Sequence, residues 1–293
     1  MIPKEVLQKV RRIEIKTKRV VDSILSGSYH SAFKGKGMEF AEVRGYVDGD
    51  DIRHIDWNVT ARMGDPYVKK HQEERELTVM LMVDASASGS FGTVNKFKGE
   101  TGVELCALLA FSAIKNNDRV GLIIFTDEIE MYIPPKKGKN HVLYVIRELL
   151  YFKPKGKKTD VAAALRFLNG VQTRRAVVFL VSDFFTGQFD AALRISAKRH
   201  DLIAVTINDP RENTFPDVGL VELEDAEHGG TILVDSGSRE FRELYKKKMQ
   251  AKWDGLSTLF RHQGVDEICV STETEYVEPL VKFFKKRERM LSR

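Results

Sequence analysis

The stretch Leu77-Thr78-Val79-Met80-Leu81-Met82-Val83-Asp84-Ala85-Ser86-Ala87-Ser88-Gly89 decides the fold. Residues 77–83 are almost continuously apolar, as a strand buried on both faces must be. After the polar turn, residues 96–115 carry Phe97, Val103, Cys106, Ala107, Ala110, Phe111 and Ile114 at helical spacing. Working outward, residues 120–125 and 129–133 are strands joined tightly through Thr126, Asp127 and Glu128, so one strand runs antiparallel to the others. Helices follow at 141–151 and 161–168, a buried strand at 176–181, a helix at 189–200 and a strand at 202–207. Residues 219–224 and 230–234 form a second hairpin around His228-Gly229-Gly230. A helix over 239–263, a strand over 267–270 and a basic helix from about Glu275 complete the chain. Short strand-to-helix connections imply right-handed crossovers and a mostly parallel central sheet with helices on both faces.

Upstream the pattern changes. Residues 3–25 place Val6, Val10, Ile13, Val20 and Ile24 on one side of a basic helix, whereas glycine and proline break 26–76 into short stretches. The expected organisation is a helix and irregular or β arm over residues 1–75, then an α/β domain over 76–293. With 42% hydrophobic and 30% charged residues in 293, the chain buries a core and is not disordered. No signal-peptide pattern is present and no apolar run reaches the ~20 residues of a membrane span. Cys106 and Cys269 lie in apolar contexts, as small core residues of a protein from a reducing, cytoplasmic compartment.

In such a sheet, ligands gather beyond the carboxyl ends of the strands. Asp84, Ser86 and Ser88 present one carboxylate and two hydroxyls on the turn after the first buried strand. Asp183 follows the strand at 176–181, and Thr159 lies where the lysine-rich loop meets a helix. Serine, threonine and aspartate also cap helices and fill turns, so no single member identifies a site. As a set they offer only hard oxygen ligands, which suit Mg²⁺, or Mn²⁺ or Ca²⁺.

Together, Asp84, Ser86, Ser88, Thr159 and Asp183 resemble the metal-ion-dependent adhesion site of von Willebrand factor A-type domains. That resemblance implies a Rossmann-like von Willebrand factor A fold. It also implies Ser86 and Ser88 as direct ligands, Thr159 as a switchable one, Asp84 and Asp183 acting through bound water, and an open position for a partner's acidic side chain. A narrower resemblance rests on Gly35-Lys36-Gly37-Met38-Glu39-Phe40, Glu42-Val43-Arg44-Gly45-Tyr46, the segment Gly49-Asp50-Asp51-Ile52-Arg53-His54-Ile55-Asp56-Trp57, Thr60-Ala61-Arg62 and Ser182-Asp183-Phe184. These motifs are similar to those of the bacterial family known as domain of unknown function fifty-eight. Its members are commonly encoded beside MoxR-type AAA+ ATPases, which implies an adaptor or assembly factor working with such an ATPase or its client.

Other chemistry is excluded by what is missing. There is no H-E-x-x-H, G-x-S-x-G or C-x-x-C, and the seven histidines, expected mostly on the surface or in turns, show no ligand spacing. Gly35-x-Gly37 follows no buried strand and lacks a Lys-Ser/Thr, so it is no phosphate loop. The alternative function is a Mg²⁺-dependent phosphotransferase or phosphatase using Asp84, but the second acid of such sites is replaced by Ser86. Asp50, Asp51, Arg44 and Arg53 are expected to form ion pairs that fix the arm to the sheet domain, with Tyr46 and Trp57 as packing anchors. The 47 basic residues exceed the 42 acidic ones by five, and the excess is local. Lys153, Lys155, Lys157 and Lys158 introduce Thr159, giving the expected site a positive rim that selects an acidic protein surface. No aromatic residues interleave with these lysines for base stacking, so nucleic acid is not the expected partner.

Overall fold

Continuous burial through residues 79–83 sets this strand inside a six-stranded sheet, seen in a computed structural model that describes residues 29, 32–33, 39–72, 76–92, 97–224 and 230–291. Two compact units are present, 33–76 and 77–293, the latter also taking in Tyr29 and Ala32. The expected helix over 3–25, the Gly35-x-Gly37 turn and the His228-Gly229 turn lie outside the described residues.

In the smaller unit, β1 (Glu39–Gly45) and β2 (Tyr67–Gln72) pair antiparallel around the short helix α1 (Trp57–Met63). Asp56 caps α1 through the N–H groups of Asn58 and Val59, and Gly64 closes it at φ 86°. Arg44 pairs with Asp50 at 2.6 Å and Arg53 with Asp51 at 2.8 Å. Both pairs join residues of this unit and brace its turns. Trp57 is 69% exposed and anchors no packing there, because its position on the first turn of α1 points it at solvent.

The larger unit runs β3 (Thr78–Asp84), α2 (Lys98–Lys115), β4 (Arg119–Phe125), β5 (Ile129–Lys136), α3 (Lys139–Tyr151), α4 (Val161–Val171), β6 (Val177–Ser182), α5 (Asp190–Arg199) and β7 (Asp201–Asn208). It continues through the helical turn Pro210–Asn213, the hairpin β8 (Leu220–Glu224) and β9 (Thr231–Asp235), then α6 (Arg239–His262), β10 (Asp266–Ser271) and α7 (Val277–Leu291). The sheet order is β10-β7-β6-β3-β4-β5, parallel except for β5 at one edge. Numbered within the sheet this is 6-5-4-1-2-3, the doubly wound order, with its switch point between β3 and β6. The expected α/β architecture, a mostly parallel central sheet with one antiparallel strand, is what the chain adopts.

Period-two burial divides the core into two layers. Met80, Met82, Ile123, Phe125, Val178 and Leu180 pack against Leu165 and Leu168 of α4, Leu193 of α5 and Phe260 of α6. On the opposite face α2 approaches closely enough that a Cβ on Gly102 would lie 3.2 Å from Ile207 Cδ1 and 3.6 Å from Val181 Cγ1. Cys106 is buried in that helix, whereas Cys269 is exposed. The expectation of two core cysteines therefore holds for one: β10 is an edge strand with one face left open. His200 is likewise buried rather than on the surface, because it ends α5 where the chain turns directly into β7. Among the described residues, no helix is long and apolar enough to cross a membrane.

Removing apolar volume from the first layer leaves a void its strands cannot close. Leu180→Ala is expected to lower stability by about 2–5 kcal/mol in urea denaturation with an unchanged denaturant slope.

Candidate functional site

The parallel strands place the ends of β3 and β6 side by side, and the switch point opens a crevice between the loops that leave them. Asp84 is the last residue of β3. Its Oδ1 accepts the Ser86 N–H at 3.0 Å, and its Oδ2 accepts the Ser182 hydroxyl at 2.6 Å. The Thr159 hydroxyl approaches both oxygens at 3.4–3.5 Å. Ser86 Oγ and Ser88 Oγ lie 2.9 Å apart across the 3-10 turn Ala87–Ser90. Burial pushes the Asp84 carboxyl up to about 6, aided by the charge of Asp183 and opposed by its hydrogen bonds to Ser182 and Ser86.

Four of the five expected residues, Asp84, Ser86, Ser88 and Thr159, are thus joined by hydrogen bonds. Asp183 stands close enough to act on Asp84 electrostatically, but its own hydrogen bonds go elsewhere. Its Oδ2 accepts Lys98 Nζ at 2.6 Å and its Oδ1 accepts the Phe185 N–H at 3.1 Å. Two further residues take part. Ser182, which the sequence marks only as part of Ser182-Asp183-Phe184, faces Asp84 because period-two alternation puts it and Asp183 on opposite sides of the strand end. Lys98 carries no local signal, since a lysine at a helix start normally faces solvent. Here it is 3% exposed.

Lys98 begins α2 and bridges Asp183 to Glu212, whose Oε1 is 2.5 Å away. Burial works against its ammonium charge, yet the two carboxylates outweigh that cost and hold its pKa above the ordinary lysine value. Glu212 is itself positioned by a capping box: its Oε2 accepts the Asp209 N–H while Asp209 caps the turn Pro210–Asn213. The rings of Phe91 and Phe185 each lie 5.7 Å from Lys98 Nζ and shield the cluster.

Thr159 is delivered by a loop with little freedom. Glu130 Oε1 accepts the N–H groups of Lys155 and Gly156 at 2.9 and 2.7 Å and the Thr126 hydroxyl at 3.1 Å. A Cβ on Gly156 would come within 2.3 Å of Thr126 Oγ1, so the loop closes this tightly only over glycine. The Ala87 N–H donates to the Lys157 carbonyl at 2.9 Å, and the Thr186 hydroxyl to the Thr159 carbonyl at 2.9 Å, joining the three loops of the crevice. Asp160, not Thr159, caps α4, which leaves the threonine hydroxyl to the crevice. Lys153, Lys155, Lys157 and Lys158 are all exposed around this loop.

The turn after β6 is fixed by an unusual backbone. Phe184 holds φ 54°, in the left-handed region, while its ring is buried 5.1 Å from that of Phe260 and 5.9 Å from that of Phe189. Its N–H donates to Ser182 Oγ at 2.9 Å, so the Asp84-facing hydroxyl is held from both sides. Core packing of one ring thereby sets the position of a polar group in the crevice.

Removing the ammonium would leave two nearly buried carboxylates facing each other. Lys98→Met is expected to destabilise the fold by about 3–5 kcal/mol in urea denaturation, with much of the loss recovered in Lys98→Met/Asp183→Asn.

The family described as "Protein of unknown function DUF58" matches residues 42–254. The uncharacterized protein Rv1480 of Mycobacterium tuberculosis is 31% identical over 283 residues, spanning 96% of this chain and 89% of that one. Among solved structures, the conserved hypothetical protein BatB of Bacteroides thetaiotaomicron is 15% identical with a TM-score of 0.48, covering 73% of this chain and 99% of its own. The structure of proximal thread matrix protein 1 from the mussel byssus with a zinc-occupied MIDAS motif is 16% identical with a TM-score of 0.37, over 46% of this chain and 39% of its own. The family match and the relationship along nearly the whole length place the chain in the DUF58 family, whose molecular function is not known.

Proposed function

We propose that the crevice holds a divalent cation and that the protein is an interaction module, gripping an acidic side chain of a partner through that ion. The supporting observation is a charge imbalance. Asp84, Asp183 and Glu212 bring three negative charges to one small region, and Lys98, shared between two of them, supplies one positive charge. The resulting deficit is two charges, and burial of Asp84 makes that deficit costly. One divalent ion balances it.

The donor set suits a hard cation. Every candidate atom is oxygen, from the hydroxyls of Ser86, Ser88 and Thr159 and the carboxylates of Asp84 and Asp183, which favours Mg²⁺, with Mn²⁺ or Ca²⁺ as substitutes. Adjacent ligands of an octahedral Mg²⁺ at about 2.0–2.1 Å lie about 2.9 Å apart. The Ser86 and Ser88 hydroxyl oxygens have that separation of 2.9 Å without rearrangement. Among the described residues no group of three His, Cys, Asp or Glu side chains forms a metal cage, so the hydroxyls carry the direct ligation. Asp84, already bonded to Ser182 and Ser86, and Asp183, bonded to Lys98, act through water and charge.

An ion held mainly by neutral hydroxyls keeps much of its charge for a carboxylate from outside. The lysines at 153, 155, 157 and 158 attract that carboxylate from a distance, and the ion fixes its register. The family resemblance makes a MoxR-type AAA+ ATPase or its client the partner to test first. Phosphoryl transfer from Asp84 is the weaker reading, since both carboxylate oxygens are occupied by hydrogen bonds and no second acid stands two residues on.

Titration with Mn²⁺ in the presence of acetate, followed by paramagnetic resonance, is expected to show one bound ion in the wild type. Ser86→Ala with Asp183→Ala should abolish it, while Mg²⁺ competes it away. Unchanged binding in that double variant would remove the site. Phosphate-ester turnover lost on Asp84→Asn would instead favour the enzyme. At a free Mg²⁺ concentration of 100 times Kd, the wild type should gain about 2.7 kcal/mol of stability.

A further inference from the structure

The charge of this chain is partitioned in a way the metal site alone does not explain. Residues 214–238 contain six acids, Asp217, Glu222, Glu224, Asp225, Glu227 and Asp235, and no lysine or arginine, in a chain whose formal net charge is +5. Residues 153–158 contain four lysines and no acid. The acidic stretch is the β8–β9 hairpin and its flanks, and the basic stretch is the rim of the crevice.

The hairpin is firmly rooted and then left bare. At its base the Ser236 hydroxyl donates to the Gly219 carbonyl at 2.7 Å, and Arg242 of α6 pairs with Asp217 at 3.1 Å. Phe215 packs edge-on against Phe241 and Tyr245 of α6, with ring centroids 5.7 and 5.3 Å away. Beyond that root, Leu220 is 69%, Ile232 63% and Leu233 68% exposed, and Leu244 on α6 is 67% exposed. A two-stranded ribbon with uncovered leucines is marginal by itself and normally finds a surface to lie on. Glu222 is also exposed and stands directly opposite Leu233 in the antiparallel register, two residues from Leu220 on the same face. On that face Asp235 stands opposite Leu220, and Glu222 is the carboxylate flanked by both apolar side chains.

The crevice offers the complement. Its lysine rim matches the hairpin's acids, and Phe91 and Phe97, 41% and 51% exposed, border the loop that carries Ser86 and Ser88. Because β3, β6 and β7 are parallel, the crevice and the insertion that begins after β7 both leave the sheet at its carboxyl edge. Two copies meeting edge to edge about a twofold axis can each present a hairpin to the other's crevice, a closed and self-complementary arrangement.

We infer that the β8–β9 hairpin of a second copy of this chain is a ligand of the crevice, with Glu222 as the carboxylate that meets the bound ion and Leu220 and Leu233 as its apolar flanks. The inference rests on the metal-dependent reading given above, and names its partner. Association of this kind buries the exposed leucines, neutralises both charged stretches and fills the ion's outer position.

Sedimentation velocity of the full chain from micromolar to near-millimolar concentration, in Mg²⁺ and in chelator, tests it, with Mn²⁺ resonance read on the same samples. The expected result is a dimer in Mg²⁺ that dissociates in chelator and weakens with salt. Glu222→Gln should weaken dimerisation about tenfold or more while leaving Mn²⁺ binding in acetate unchanged. Ser86→Ala should lose both. An equimolar mixture of these two variants should regain part of the association, because one intact hairpin then meets one intact crevice. A monomer that binds Mn²⁺, or a dimer indifferent to Glu222→Gln, overturns the hairpin-in-crevice association and leaves the metal reading standing. Absence of bound Mn²⁺ overturns both.

Discussion

Burial of the Asp84 carboxylate at the end of β3, in a region where the buried Lys98 ammonium is already shared by Asp183 and Glu212, is the constraint on which the rest of the crevice depends. A charge in that position is tolerated only if hydrogen bonds or a counter-ion answer it. The Ser86 amide and the hydroxyls of Ser182 and Thr159 do part of this work. They come from the turn after β3, the end of β6 and the loop before α4, so satisfying one carboxylate draws together segments distant in sequence. The resulting crevice is preorganised: its serine oxygens already have the spacing of neighbouring ligands, and the proposed divalent ion would complete the balance of charge.

The core and the crevice are coupled through particular residues rather than through general rigidity. Phe184 accepts a left-handed backbone because its ring is held between Phe189 and Phe260, and its amide then fixes Ser182. Glu130 on the antiparallel edge strand β5 gathers the amides of Lys155 and Gly156, and so sets where the lysine loop hands over to Thr159. The antiparallel edge strand thus serves the site from a distance. Fold stability and site geometry share these contacts, which is why Lys98, a residue of the core by burial, also governs the electrostatics of the crevice.

Much of the fold was legible because its signals are local. Continuous apolar runs at β3 and β6, the tight β4–β5 turn and the amphipathic spacing of α2 and α4 each follow from period and punctuation. Asp84, Ser86, Ser88 and Thr159 were legible for the same reason, since each lies just beyond an element boundary. Long-range pairing was not. Nothing near Lys98 in sequence announces Glu212, 114 residues away, and the ion pair arises only when α2 and the turn after β7 meet at one edge of the sheet. Asp183 does lie just past the end of β6, but its side chain pairs with that lysine. Trp57 and Cys269 show the converse error: apolar character suggested burial, while an exposed helix turn and an open edge strand left both at the surface.

The central claim is that the switch-point crevice between β3 and β6 holds a divalent ion on serine and threonine hydroxyls. Anomalous diffraction at the manganese edge from crystals grown with Mn²⁺ tests it most directly. The account predicts an anomalous peak bridging Ser86 Oγ and Ser88 Oγ, with Asp84 and Asp183 reached through water. A map with no peak there, or with the ion on carboxylates elsewhere in the chain, would contradict it.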